Sequence, residues 1–166
     1  MASRSLDTGR FIRTEQALEE LAVNVIIPTI RQVLNEQNRV VSGNLRDSFD
    51  YALDGAILDI YSTESYAGAI DVGKSKGDRP PESKIIEWAK LKGIRPTYLN
   101  GRKKGKYMSL ETWAHYVSNK IESEGYEGSN YLAESFIRFS NIIEKSVGEA
   151  MAEDIADTII ENIRQE

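Results

Sequence analysis

The sequence predicts an α+β fold: a small antiparallel sheet with a β-hairpin packed by several helices, and long N- and C-terminal helices. Three observations carry this. Apolar residues recur at three- and four-residue spacing over 14–38 and again over 130–165, the period of an amphipathic helix. Between them, Phe49, Tyr51 and Leu53 alternate with Asp50, Ala52 and Asp54, and a second apolar run covers Ile57 to Tyr61. Asp54-Gly55 joins the two runs, a dipeptide that accepts the positive φ angles of a tight hairpin turn.

Taken in order, the first helix starts at Thr14, a cap residue, with Glu15 suited to its positive end. Leu18, Leu21, Ala22 and Val25 form its apolar face, and Ile30, Val33 and Leu34 continue it. Pro28 removes a backbone donor and crowds the preceding turn, so a kink or break is expected near Ile27. The hairpin over 47–62 follows. A two-stranded hairpin is marginal alone, so it needs another strand, a helix or a neighbouring subunit. Residues 65–73 read as one or two helical turns ended by Gly73, and 74–81 as a loop. The stretch IIEWAKLKG is a short helix behind Pro80 and Pro81, with Ile85, Trp88 and Ala89 inward, Gly93 as its left-handed stop and Pro96 beyond. A Gly-, Lys- and Arg-rich loop spans 97–108. Ser109 then caps a helix whose expected stripe is Trp113, Tyr116, Val117 and Ile121, ended by Gly125 and Gly128. The last helix carries Leu132, Phe136, Ile143, Val147, Met151, Ile155, Ile159 and Ile163. Trp88, Trp113 and Phe136 are the expected core anchors. The chain reads as one domain, 1–166, with a flexible arm over 1–13 and a helical extension over 141–166.

The composition removes several chemistries. There is no cysteine and a single histidine, His115, which excludes disulfides and cysteine-ligated zinc and leaves little room for Ser-His-Asp or Cys-His catalysis. No Asp-rich calcium loop is present. The carboxylates are spread along helix faces, with no spacing that singles out an acid–base pair. No enzymatic activity, cofactor, metal or small-molecule substrate is expected. No apolar run approaches the roughly 20 residues of a membrane span, and the N-terminus lacks the apolar core of a signal peptide. A soluble protein made in the cytoplasm is the expectation.

The net charge of −5 argues against a chain built as a whole to hold nucleic acid. Arg102, Lys103, Lys104 and Lys106 nevertheless cluster in one loop. Its glycines lack phosphate-loop spacing, and Tyr107 stands where Ser or Thr would hold magnesium. The loop is either a solvated segment or a contact for DNA phosphates or an acidic partner. The isoleucines Ile155, Ile159 and Ile163 form a stripe that suggests a partner helix or subunit contact.

The order of short motifs adds a further reading. Ser42, Gly43, Leu45, Arg46 and Ser48 precede the hairpin; Tyr66, Ala67 and Gly73 follow it, with Asp71 between; Gly128, Tyr131 and Leu132 open the last helix. Over about residues 15–140 this resembles the tail-component or neck family of long-tailed bacteriophages, the tail-completion proteins at the head–tail junction. That family has Glu where Asp71 stands, Pro where Asn130 stands and Phe where Tyr131 stands. The resemblance implies a structural virion protein, made in the bacterial host cytoplasm, that forms a homo-oligomeric ring. The ring joins the head connector to the tail proteins, with DNA passing nearby. On this reading Ser42, Gly43, Leu45, Arg46, Tyr66, Asp71 and Gly73 are subunit or partner contacts, along with the isoleucine stripe. The competing reading is a nucleic-acid-binding accessory protein that uses the basic loop.

Overall fold

The computed structural model describes residues 11–38 and 42–164. In chain order the elements are α1 (Ile12–Leu21), a π turn (Ala22–Ile26), α2 (Ile27–Glu36), α3 (Asn44–Asp47), β1 (Phe49–Asp54), β2 (Ile57–Ser62), α4 (Ala67–Val72), β3 (Gly73–Lys74), α5 (Glu82–Leu91), α6 (Leu110–Glu124), β4 (Tyr126–Glu127) and α7 (Tyr131–Arg164). Strands β1 and β2 pair antiparallel, and β3 pairs with β4 in a second small sheet. The fold is α+β with a long C-terminal helix, as expected. Where the sequence reads as a single domain, the backbone gathers into two compact units. Among the described residues one comprises 11–33, 48–63 and 132–164; the other comprises 34–38, 42–47 and 64–131.

The first unit is built on helical stripes and one hairpin. Leu18, Leu21, Ala22, Ile26 and Ile30 are buried at the spacing that helical periodicity requires. The chain stays helical through Pro28, and the irregularity expected near Ile27 is a π turn just before it. Ile27 N–H donates to Ala22 O, five residues back, and this widened turn relieves the proline ring's clash with the carbonyl behind it. The hairpin register pairs Asp54 with Ile57. The loop is therefore Gly55-Ala56, not Asp54-Gly55, with Gly55 at φ +56 in the first loop position, where a type II′ turn needs it. Phe49 is buried on the inner face, while Ile57 and Tyr61 are exposed on the outer face with Asp50, Asp54 and Asp59. Helix α1 covers β1, and Tyr51 O–H donates to Glu19 Oε1 at 3.1 Å.

Helix α7 has 34 residues and so is about 51 Å long. Its inward line includes Ser135, Phe139 and Asp154. Asp154 accepts from Arg13 N–H at 3.1 Å, Thr14 N–H at 2.9 Å and Thr14 Oγ1 at 2.8 Å. These are first-turn donors of α1, which has no side-chain cap of its own. Two expectations are corrected here. Thr14 is not a helix cap but lies inside α1, buried against a carboxylate from far along the chain. Asp154 ties the helical stretch 141–164 to α1, and Ile12 and Arg13 are helical and not part of a flexible arm. The rest of the expected arm, 1–10, lies outside the described residues.

In the second unit, Ser109 caps α6 as expected and accepts from Thr112 N–H at 3.2 Å. Helix α5 closes on Gly93 at φ +65, with Gly93 N–H on Lys90 O and Ile94 N–H on Ala89 O, the paired bonds of a Schellman stop. Ile85 and Ala89 are buried as expected, but Trp88 is 42% exposed and Trp113 half-buried. They are not core anchors: their rings stack on one another, centroids 6.1 Å apart. The inner face of α6 is rotated from the expected stripe. Ala114 and Ser118 are buried, Tyr116 faces out, and Ser118 Oγ donates to Pro80 O at 2.7 Å. Small residues at 114 and 118 let α5 and its leading prolines approach closely.

Candidate functional site

Three regions hold the residues singled out by sequence. The first, Ser42 to Ser48, is a closed helical turn. Asp47 N–H donates to Gly43 O at 2.9 Å, Ser42 Oγ accepts from Asn44 N–H, and Leu45 is buried. The Arg46 guanidinium forks onto both Asp47 carboxylate oxygens at 2.7 Å. That hydrogen bond, and then the charge of Asp47, raise the Arg46 pKa above its ordinary value. The geometry makes this segment a built corner, with Ser42 and part of Arg46 at its surface.

The second region joins segments that are 57 to 64 residues apart. Helix α4 ends with carbonyls that lack helical partners, and the 126–131 stretch supplies donors. Ser129 N–H bonds Ile70 O at 2.9 Å and Asn130 N–H bonds Asp71 O at 2.8 Å. The Tyr126 hydroxyl reaches Ala69 O and the Tyr131 hydroxyl reaches Ala67 O. Such contact needs bare backbone. A Cβ at Gly73 would lie 2.2 Å from Tyr126 O, and one at Gly128 only 1.9 Å from Asp71 O. Tyr131 is 1% exposed; burial, then the Asp71 charge, pushes its phenol up to about 12, so it remains a donor at neutral pH. Asp71 is buried and Tyr66 is 41% exposed. Gly73 and Lys74 form β3 rather than opening a loop. Sequence reading took Gly125 and Gly128 as helix ends, and Gly128 also as part of a motif, and missed this junction; the signal was the recurrence of glycine on both sides of it.

The third region is surface. On α7, Ile155, Ile159 and Ile163 are 45%, 54% and 69% exposed, and Met151 and Ile160 extend the stripe. Nearer its start, Phe136 is 60% exposed, not a core anchor, and stands edge-on to buried Phe139. It lines an open apolar hollow of about 810 Å³ with Leu18, Ile30, Leu58, Ile60 and Ile143. In the second unit the 97–108 loop is closed rather than open coil. Thr97 and Tyr107 bridge, and Tyr98 N–H donates to Lys106 O, Gly105 N–H to Tyr98 O and Met108 N–H to Pro96 O. Arg102, Lys103, Lys104 and Lys106 are all exposed on it, with the Lys103 ammonium over the Tyr98 ring.

His115 is at the surface, with Nδ1 2.9 Å from Glu82 Oε1 and 3.2 Å from Arg79 Nη2. The bonds from Arg79 and then His115 hold the Glu82 carboxyl below its ordinary value. Among the described residues no group of three or more His, Asp or Glu is placed to hold a metal ion. Among them, too, no helix is long and apolar enough to cross a membrane.

No protein-family model matches the chain, and no curated protein or solved structure matches it.

Proposed function

We propose that this protein is a structural subunit of a bacteriophage neck or tail top, assembling into a ring that joins the head connector to the tail. The observation that carries the reading is the apolar surface on the first unit. A solvated monomer rarely leaves large contiguous apolar area uncovered, yet α7 presents Ile155, Ile159 and Ile163 outward. A ring needs two different patches, one on each side of every subunit. The isoleucine stripe and the hollow beside Phe136 and Ile137 meet that requirement, a second copy's stripe being the occupant we assign to the hollow. The resemblance to the neck family supplies the assembly in which such a subunit belongs. The α4 junction is consistent with it, because two of the resembling motifs form one hydrogen-bonded piece.

The test is to mix the purified full chain with a head-connector complex and follow mass and shape by mass photometry and electron microscopy. A closed ring seated on the connector is expected. A monomer that ignores the connector at micromolar concentrations overturns the reading.

A further inference from the structure

We propose that the 98–107 loop is a sequence-independent binding site for the phosphate backbone of duplex DNA. This does not rest on the ring reading, since it concerns a different surface and needs only one subunit.

The first observation is charge segregation. From Trp88 to Leu110 the chain has seven Lys and Arg residues and not one of its 26 carboxylates. Four of those cations, Arg102, Lys103, Lys104 and Lys106, lie at the exposed end of the loop. None of the four forms an ion pair with a described residue, whereas Arg13, Arg46, Arg79 and Arg138 each hold a carboxylate. Four neighbouring cations with no carboxylate partner among the described residues concentrate positive charge at one place on an acidic protein. The net charge of −5 does not cancel them. Screening limits interactions between exposed charges to about 8–10 Å at physiological salt, so a bound polyanion feels the loop rather than the chain's total.

The second observation is that the loop is already shaped. Tyr98 N–H to Lys106 O at 3.0 Å, Gly105 N–H to Tyr98 O at 2.8 Å and Lys104 N–H to Gly101 O at 3.1 Å close it. Ordering the backbone is therefore not left to the moment of binding.

The third observation selects the ligand. Duplex DNA carries one negative charge per about 1.7 Å of its axis, and each phosphate neutralised releases counterions. Lysines act as point charges toward phosphate, and phosphate contacts position without reading sequence. Single-strand sites add a series of bare aromatic faces. Here the Tyr98 ring is covered by the Lys103 ammonium, 5.4 Å from its centroid, which leaves Tyr107 as the exposed ring of the loop. That set fits a duplex backbone better than stacked single-strand bases.

The experiment is fluorescence anisotropy of a labelled mixed-sequence duplex titrated with the full-length chain. With four phosphate contacts, log affinity should fall against log salt with a slope of about −3 to −4, which is about a hundredfold weakening between about 50 and 200 mM. Combined Arg102→Ala, Lys103→Ala, Lys104→Ala and Lys106→Ala should abolish most of the affinity and flatten the slope. Combined Lys103→Arg, Lys104→Arg and Lys106→Arg should keep both, which separates lost charge from lost fold. No binding by the wild type, a flat salt dependence, or equal binding by the alanine variant overturns the site. Tighter binding to a single strand of the same length overturns the duplex assignment. Displacement by polyglutamate or phosphatidylserine vesicles as readily as by duplex, at equal charge, overturns the nucleic-acid assignment.

Discussion

Asp154 shows how one side chain organises a helix start from a distance. Burial pushes its carboxyl pKa up. The Thr14 N–H and hydroxyl, the Arg13 N–H and the Arg13 charge outweigh that, and the net shift is downward. The carboxylate therefore stabilises the fold fully above the unfolded carboxyl pKa, and that contribution is lost as pH falls through the lower folded value. Asp154→Asn should cost about 1–2 kcal/mol in urea at neutral pH, the scale of a lost cap with buried donors left short of partners. The gap between wild type and variant should narrow in acid. Far-UV circular dichroism is the suitable probe, since both tryptophans lie in the other unit. A gap that is unchanged from neutral to acid pH would show that the charge of Asp154 is irrelevant. In the sequence nothing distinguished Asp154 from Glu153 or Asp157; the meeting with Thr14, 140 residues away, selected it.

At the scale of elements, two glycines that look alike in sequence have different jobs. Gly93 closes α5 with a positive φ and has open space where a Cβ would go. Gly128 has no positive φ, but two backbones meet where its Cβ would sit. Gly93→Ala should cost only about 1 kcal/mol, the strain of a left-handed alanine. Gly128→Ala must push β4 off the end of α4 and should cost upward of about 3 kcal/mol. Tryptophan fluorescence in urea reports on this unit, and equal losses for the two variants would contradict the close-approach argument. Hairpin, helix stop and Ser109 cap were legible because turn chemistry and capping are local. The π turn before Pro28 was not, because the sequence shows the missing donor but not the preceding turn's ability to widen. The rotation of α6 and the stacking of Trp88 on Trp113 were hidden for a related reason. Periodicity marks an apolar side of a helix, and the partner's shape decides which part of that side is buried.

For the molecule as a whole, the isoleucine stripe is the feature with the largest consequence. Ile155→Ser with Ile159→Ser should leave the melting temperature within a few degrees of wild type, because both side chains are about half exposed. The same change should abolish or sharply weaken self-association and ring formation in sedimentation velocity. Assembly that survives both substitutions would remove the isoleucine stripe from the subunit contact. The α+β class, the longer helices and the hairpin, the exclusion of cysteine chemistry and the clustering of four cations followed from the amino-acid order alone, because spacing, turn residues and composition act over a few positions. Tertiary structure decided the rest: the division into two units, the cap from Asp154, the crossing of bare backbones at Gly73 and Gly128, and which isoleucines stay uncovered. Each of these depends on segments brought together from distant parts of the chain, and hydrophobic burial brings them together without a preference for which neighbours are close in sequence.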